Sequence, residues 1–215
     1  NTGLLSLLVG VIQVASCTMI GYGLARFKFR GSKLAMAMVI VIMLVPYHVI
    51  SIAQYLGFVY FGVGSFTINL TDSFWPSLIL AFTGLGIKEG LYIYLLREFF
   101  KSLPAELEEA AYIDGCTTLG VYSRVFLPLL TPVTATCAIR CGVGIWNDYL
   151  VCRSLLNENK NPTLMVGING FFGARAMEFG YAFAGIILVS LPMIILFLCL
   201  QKYFIKGIAA GAVKG

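Results

Sequence analysis

The sequence is poor in charged residues and lacks the common motifs that bind metals or nucleotides. Only 12% of its 215 residues are charged, whereas soluble domains contain about 25%. The six cysteines form no Cys-x-x-Cys pair, and the single histidine, His48, cannot complete a zinc site with them. A G-x-x-x-x-G-K-[ST] loop, which would cradle phosphates, is also missing. We therefore expect no metal or cofactor on this chain, and no ATPase site of its own.

Long apolar runs dominate the sequence instead. Hydrophobic residues make up 59% of the chain, and the mean hydropathy is +0.89. A membrane-spanning helix needs about 20 mostly apolar residues. Five stretches qualify: Gly3–Ala25, Leu34–Phe58, Phe74–Leu96, Leu129–Val151 and Phe179–Leu200. We predict an all-α, polytopic transmembrane helical bundle of about five spans, forming a single domain over residues 1–215.

Basic residues near the span ends predict the orientation of the chain, because cytoplasmic loops are enriched in Lys and Arg. One side of the predicted membrane carries ten: Arg26, Lys28, Arg30, Lys33, Arg97, Lys101, Arg124, Lys202, Lys206 and Lys214. The other side carries three: Arg153, Lys160 and Arg175. The net charge of +5 therefore reflects topology and does not indicate nucleic-acid binding. We expect the C-terminus inside, the N-terminus outside and a further helix before Asn1.

An acidic module at about residues 98–128 separates the third and fourth predicted spans. Its first part, SLPAELEEAAYIDG, predicts a short helix whose N-cap is Ser102 or Leu103, with Pro104 in the first turn. Gly115 is suited to end that helix because it can adopt a positive φ. Thr117 or Thr118 can then cap a second helix that leads to the fourth span. The sequence of the module therefore predicts two helices joined by a turn, on the cytoplasmic side.

The surface of this module has two interpretations. Leu107, Ala110, Ala111 and Asp114 recur at helical spacing, so the two alanines would leave a shallow face for a protein partner. Alternatively, the helix is amphipathic and rests on lipid headgroups. Such a helix is more often basic, and acidic residues would face a negatively charged leaflet here. The charge of the module therefore favours docking to a protein.

The stretch EAAYIDGCTTLGVYSRVFLP resembles the EAA loop of the inner-membrane permease subunits of binding-protein-dependent ABC importers. The residues that match are Glu109, Ala110, Ala111, Gly115, Val125, Leu127 and Pro128, with Val125 standing where isoleucine is usual. The segments ARFKFRGSK, WNDY and LQKYFIKGIAAGAVKG extend the resemblance over essentially the whole chain. They are similar to the carbohydrate-importing branch and its smaller, maltose-transporter type of permease.

The resemblance implies a mechanism and a set of partners. The EAA loop would act as a coupling helix that docks into a cleft on an ATPase subunit. The residues implied in this docking are Glu108, Glu109, Ala110, Ala111, Asp114, Gly115, Leu127 and Pro128. The implied partners are a second permease, two cytoplasmic ATPase subunits that hold ATP and Mg, and an extracellular substrate-binding protein. Such permeases usually have six spans and lie in the bacterial inner membrane, among its lipids.

Three ionisable residues fall inside the predicted spans, where a charge costs about 2.5–3.5 kcal/mol on insertion scales. They are Lys88, Glu89 and Arg140. Counting the rise along each helix puts Glu89 and Arg140 at similar depth, so we expect that they form an ion pair or that Arg140 lines a translocation path. In the alternative, Lys88 and Glu89 snorkel or serve neighbouring groups.

The segment IWNDYL near the external end of the fourth span is a second candidate for contact with the transported solute. Trp146 could stack on a sugar, while Asn147 and Asp148 could bind its hydroxyls. The simpler alternative is a membrane-interface anchor. Pro46 interrupts the second span, where His48 and Gln54 are weaker candidates.

Three functions remain open at this point. The first is a permease subunit of an ATP-driven sugar importer, and the second is an ABC permease for another solute. The third is an ion-coupled secondary transporter that uses Lys88, Glu89 and Arg140 as a relay. A membrane enzyme lacks support because the sequence has no His/Asp/Glu cluster.

Overall fold

The computed structural model of the chain describes residues 1–63, 66–86, 88–156, 162–172 and 179–212, with side chains through residue 199. Lys160, Arg175 and Lys214, which entered the orientation argument, lie outside the described residues. So do the side chains of Lys202 and Lys206.

Helices form most of the described chain. In chain order they are α1 (Thr2–Arg26), α2 (Ser32–Leu44), α3 (Tyr47–Val59), α4 (Trp75–Thr83), α5 (Glu89–Ser102), α6 (Glu106–Ile113), α7 (Thr118–Gly120), a π-helical segment (Val121–Phe126), α8 (Leu127–Leu129), α9 (Thr131–Trp146), α10 (Leu150–Leu155), α11 (Leu164–Gly170) and α12 (Phe179–Ala212). A mostly helical architecture with apolar helices is confirmed.

The helix α1 is the centre of the bundle and packs against α4, α5 and α9. It approaches α5 closely at Gly21, where an added Cβ would lie 3.1 Å from Leu96 Cβ and 3.2 Å from the Arg97 backbone nitrogen. A second close approach joins α2 to α5 at Gly90, where a Cβ would lie 2.7 Å from the Val39 carbonyl oxygen. Small residues allow this contact, since apolar helices in lipid associate mainly through close packing.

The largest cluster of buried side chains lies where α1, α5 and α9 meet the 98–128 module. It includes Tyr22, Leu96, Phe100, Phe126 and Leu130. Cys17, Cys137 and Cys141 belong to the same cluster and are free thiols, which agrees with cysteines acting as small packing residues. The module is therefore joined to the bundle through a continuous core.

Several predicted spans are interrupted rather than straight. At Pro46 the second span becomes two 13-residue helices bent by 107°, each about 20 Å long and shorter than the hydrocarbon core. A bend of 80° separates 118–129 from 131–146, and residues 84–88 divide α4 from α5. Within the described residues, Thr2–Arg26 and Phe179–Cys199 are each long and apolar enough to cross a membrane, and the two bent pairs could raise the number to four.

Two expectations need correction. The loop after α3 contains a short antiparallel hairpin, β1 (Phe61–Val63) with β2 (Phe66–Ile68), so the chain is not wholly α-helical. The first module helix begins at Glu106, and Ser102 instead ends α5. The cause of the second error is Pro104, which forces the preceding residue Leu103 into an extended conformation.

The α2–α5 contact predicts a difference between two Gly→Ala substitutions. Gly90→Ala should destabilise the protein by about 1–3 kcal/mol, because its Cβ would overlap the backbone of α2. Gly57→Ala is the matched control, since its Cβ meets nothing within 4 Å and alanine favours a helix by about 1 kcal/mol. Thermal unfolding in detergent measures both. Equal midpoints for the two variants would contradict this packing.

Candidate functional site

The turn of the 98–128 module is built around Gly115, whose φ is +81°. The Gly115 N–H donates to the Tyr112 carbonyl at 3.0 Å, and the Cys116 N–H donates to the Ala111 carbonyl at 2.9 Å. This pair of bonds is a Schellman motif, which satisfies the carbonyls at the end of α6. A Cβ at Gly115 would meet nothing within 4 Å. The requirement for glycine therefore comes from the left-handed backbone and not from lack of space.

The second half of the module starts where the sequence predicts. The Thr117 hydroxyl accepts a hydrogen bond from the Gly120 N–H at 3.2 Å, so Thr117 is the N-cap. The helical run then continues through the π-helical segment and α8 to Leu129. Pro128 lies inside this run, directly after the π-helical segment, and it contributes no backbone N–H to the helix there. It is exposed, and Leu127 beside it is half-buried.

The exposed surface of the module differs from the expected alanine face. Ala111 is buried in the main core, whereas Ala110 is exposed. The most exposed apolar side chains are Ile113, at 86%, and Leu119, at 72%, on the two sides of the Gly115 turn. Sequence reasoning missed both. The signal for Ile113 is a bulky apolar residue directly before Asp114-Gly115. For Leu119 it is a bulky apolar residue directly before Gly120.

The acidic residues of α6 have different environments. Glu108 is only 17% exposed and forms an ion pair with Arg26, its Oε2 lying 3.6 Å from the arginine Nε. Glu109, the next residue, is exposed, as are Glu106 and Asp114. In the described part of the chain none of these three forms an ion pair. The module thus offers an apolar turn with an acidic rim, while Glu108 is turned inward.

A cavity of about 490 Å³ lies between α1, α4, α5 and α9. Ligand pockets in proteins commonly measure about 300–1,000 Å³. The polar and aromatic side chains on its wall are Gln13, Tyr47, Gln54, Ser77, Lys88, Glu89, Tyr92, Arg140, Asn147, Asp148 and Tyr149. Of the predicted candidates, the structure brings Glu89, Arg140, Asn147 and Asp148 to one cavity, and also places Lys88 and Gln54 there.

Glu89 lies at the break between α4 and α5 and is fully buried. Within the described residues neither carboxyl oxygen has a partner at full hydrogen-bond geometry, although the carboxyl lies against the backbone of Gly86. The residue before it, Lys88, has a φ of +62°, which is uncommon for a side chain other than glycine. A buried acid without a partner beside a strained backbone is costly for folding, so this break is a candidate for function.

The expected ion pair between Glu89 and Arg140 is wrong. In the part of the chain that the structure describes, no nitrogen of Arg140 lies within 4 Å of a Glu89 carboxyl oxygen. The arginine is exposed on α9, whereas the glutamate is enclosed at the start of α5. Similar depth along two helices does not fix the rotation of each helix, and rotation separates these side chains. The alternative, in which Arg140 lines the cavity, agrees with its position.

The WNDY segment is divided between two roles. The Asp148 carboxylate accepts the Val151 N–H at 3.3 Å and so helps to start α10, and it also lines the cavity. Asn147 donates back to the Val143 carbonyl of its own helix at 2.9 Å. Trp146 is not part of the cavity wall; its ring lies near Gly3 of α1. In the structure Trp146 is therefore a packing residue.

Comparison with known proteins places these features in a family context. A sequence model described as binding-protein-dependent transport system inner membrane component matches residues 18–210. The chain is 36% identical over 217 residues to the melibiose/raffinose/stachyose import permease protein MelC of Bacillus subtilis, covering all of this chain and 75% of that protein. It is 33% identical over 216 residues to the maltodextrin transport system permease protein MdxG of the same species, covering 100% and 74%.

The fold is also found among solved structures, and one of them serves as an example. It is described as the crystal structure of a bacterial ABC transporter involved in the import of the acidic polysaccharide alginate. The TM-score is 0.72 at 24% identity, with 94% of this chain and 74% of that chain covered.

The buried acid of the cavity predicts a gain in stability when it is removed. Glu89→Met should raise the free energy of unfolding by about 1–3 kcal/mol, because a buried carboxyl without a partner is replaced by an apolar side chain. Glu98→Met is the control, since Glu98 is exposed and its surface ion pairs with Arg97 and Lys101 should contribute less than about 1 kcal/mol. Thermal unfolding in detergent compares them. Destabilisation by Glu89→Met would show that the carboxyl is satisfied in the folded protein.

Proposed function

The chain belongs to the family of binding-protein-dependent transport system inner membrane components, and we propose that it is the permease subunit of an ATP-driven importer for a sugar or an oligosaccharide. The observation that carries this proposal is the match over residues 18–210 together with the Gly115 turn that presents Ile113 and Leu119. The subunit catalyses no bond chemistry itself.

The sugar cargo is supported by the named relatives and by the lining of the cavity. The relatives are permeases for melibiose, raffinose and stachyose and for maltodextrin. The cavity wall mixes hydroxyl, amide and aromatic groups with two cationic residues, Lys88 and Arg140, and two acidic residues, Glu89 and Asp148. A wall with both signs of charge suits a neutral ligand whose hydroxyls donate and accept hydrogen bonds. We assign this cavity to the translocation path.

The module is the docking surface for an ATPase subunit. Exposed apolar surface outside the membrane-spanning helices marks a candidate protein contact, and Ile113 and Leu119 are the most exposed large apolar side chains of the module. Glu109, Ala110 and Asp114 surround them as an exposed rim, while Gly115 fixes the turn. Leu127 and Pro128 then lead into the bend before α9. ATP and Mg bind to the partner, and closure of the ATPase pair displaces the module.

The proposed assembly lies in the bacterial inner membrane. The module and the C-terminus face the cytoplasm, where two ATPase subunits bind, and a substrate-binding protein delivers cargo outside. A second permease, which we take to be a different chain, completes the pathway. In this proposal α1, the α2–α3 pair, α9 with its neighbours and α12 provide four crossings, and the α4–α5 pair, which does not meet the same length and hydropathy test, provides the fifth. The excess of basic residues on the module side supports this orientation.

Reconstitution tests the function directly. Vesicles that hold this chain, its second permease and the ATPase should take up labelled raffinose or maltodextrin only when ATP and a loaded binding protein are supplied. ATP-dependent uptake of a non-sugar solute, with no uptake of these sugars, would show that the transported solute is not a sugar. Uptake without ATP, driven by a proton or sodium gradient, would instead support a secondary transporter with Lys88, Glu89 and Arg140 on its path.

Substitutions in the turn test the coupling role. Gly115→Val and Glu109→Lys should each leave the protein in the membrane and abolish uptake. Valine disfavours a φ of +81° by about 1–2 kcal/mol, and lysine reverses the charge of the acidic rim. Gly120→Ala is the matched control, because this nearby glycine has a φ of −64° and should keep transport. Normal uptake by both turn variants would refute the coupling role.

A further inference from the structure

One arginine at the end of α1 connects three segments around the module. The Arg26 guanidinium donates from Nη2 to the Phe100 carbonyl and to the Leu103 carbonyl, each at 2.9 Å. Its Nε lies 3.6 Å from the Glu108 carboxylate. Its Cζ lies 4.8 Å from the centre of the Phe126 ring. The side chain is only 11% exposed, so these contacts are largely shielded from water.

Each contact of Arg26 has a definite physical origin. The carbonyls of Phe100 and Leu103 lie at the C-terminal end of α5, where backbone oxygens carry partial negative charge, and the Phe100 oxygen also accepts the Leu103 N–H at 3.3 Å. Glu108 is in the first turn of α6, and Phe126 ends the π-helical segment. A planar guanidinium can serve two carbonyls, a carboxylate and an aromatic face at once, which an ammonium group cannot.

Tyr22 strengthens this joint from one helical turn earlier on α1. Its ring centre lies 5.3 Å from those of Phe100 and Tyr122 and 5.7 Å from that of Phe126. Residues four apart share a helix face, so Tyr22 and Arg26 contact the same segments of α5 and the module. We call these two side chains the α1 clasp.

The helix that carries the clasp also reaches the cavity. Leu5, Val9 and Gln13 of α1 line its wall, and thirteen residues separate Gln13 from Arg26, about 20 Å along the helix. Helix α1 is continuous over 25 residues. Of the two covalent routes from the module, the one through α9 has the 80° bend, whereas α5 runs without a break from the module to Glu89 and Tyr92 of the wall. Helix α1 is therefore a second continuous connection between module and cavity, and it is fastened to the module only through its side-chain contacts.

We propose that Arg26 is the positioning residue that fastens the module to α1, so that displacement of the module is transmitted through α1 to the wall of the cavity. The inference rests on the proposed function, because it assigns a route to the same coupling. It also gives the two neighbouring acids different roles. Glu108 pairs with Arg26 inside the chain, and Glu109 is exposed, where it can contact the ATPase.

The test measures solute transported per ATP hydrolysed in reconstituted vesicles. Arg26→Gln should lower this ratio at least tenfold, while the ATPase still co-purifies and still hydrolyses ATP. Arg26→Lys should recover part of the ratio, because it keeps the positive charge beside Glu108. Glu108→Gln should lower the ratio severalfold, and Glu109→Lys should instead reduce the amount of ATPase bound.

Arg97→Gln is the matched control. Arg97 also ties α5 to α1, since its Nε donates to the Leu24 carbonyl at 3.3 Å, and its remaining partner is Glu98. No hydrogen bond or ion pair joins Arg97 to the described residues 104–128, which include α6 and the Gly115 turn, so its loss should lower stability without changing the ratio. A role of Arg26 limited to stability would give the same unchanged ratio for both arginine variants, and that result would overturn the inference.

Two further outcomes are decisive. If Arg26→Gln cannot be recovered from the membrane, Glu108→Gln decides, because it keeps the shape of the side chain and removes the ion pair. An unchanged ratio in that variant overturns the inference. If the wild-type assembly shows no ATP-dependent transport, the proposed function fails. If the wild type transports and Arg26→Gln stays coupled, only the inference fails.

Discussion

The close contact between α1 and α5 is the constraint on which the other features depend. The two backbones approach at Gly21, where an added Cβ would lie 3.1 Å from Leu96 Cβ. In lipid, helices gain little from hydrophobic burial against each other, so contact at a small residue largely sets their relative position. Once these two helices are in register, Arg26 reaches the C-terminal end of α5 and Gln13 reaches the cavity. The module and the cavity are thus attached to opposite parts of one helix pair.

The polar residues of the interior follow two opposite patterns. Around Arg26 a buried charge has two carbonyls, an aromatic face and a carboxylate within reach, so its desolvation is largely compensated, although its Nε donates no hydrogen bond within the described residues. Around Glu89 a buried carboxyl has no partner within the described residues. The first pattern stabilises a joint, and the second leaves the hydrogen-bonding capacity of one carboxyl unused on the wall of the cavity. Charge at the joint is thus mostly paired, whereas the cavity wall holds both a paired acid, Asp148, and an unpaired one, Glu89.

Turns and helix caps could be predicted from the sequence, whereas the rotation of each helix about its own axis could not. The positive φ of Gly115 and the cap at Thr117 follow from residue type and spacing, and both are confirmed. The interruption of the second span at Pro46 was also predicted from residue type and is confirmed, but its angle of 107° and the two paired strands after α3 depend on packing that hydropathy does not encode. The burial of Ala111 and the absence of a Glu89–Arg140 pair depend on how each helix is rotated. Arg26 entered the sequence argument only as one of the basic residues that orient the chain, because its partners are distant in sequence.

The central claim is that the module and the end of α1 move as one body. Spin labels at positions 28 and 106, in a variant without native cysteines, would report the distance between the loop after α1 and the start of α6 in the assembled transporter. The account predicts that this distance stays the same with and without nucleotide, while the distance from position 106 to a label at position 69 on the opposite side changes. A change between positions 28 and 106 when nucleotide binds, with α1 left in place, would contradict it.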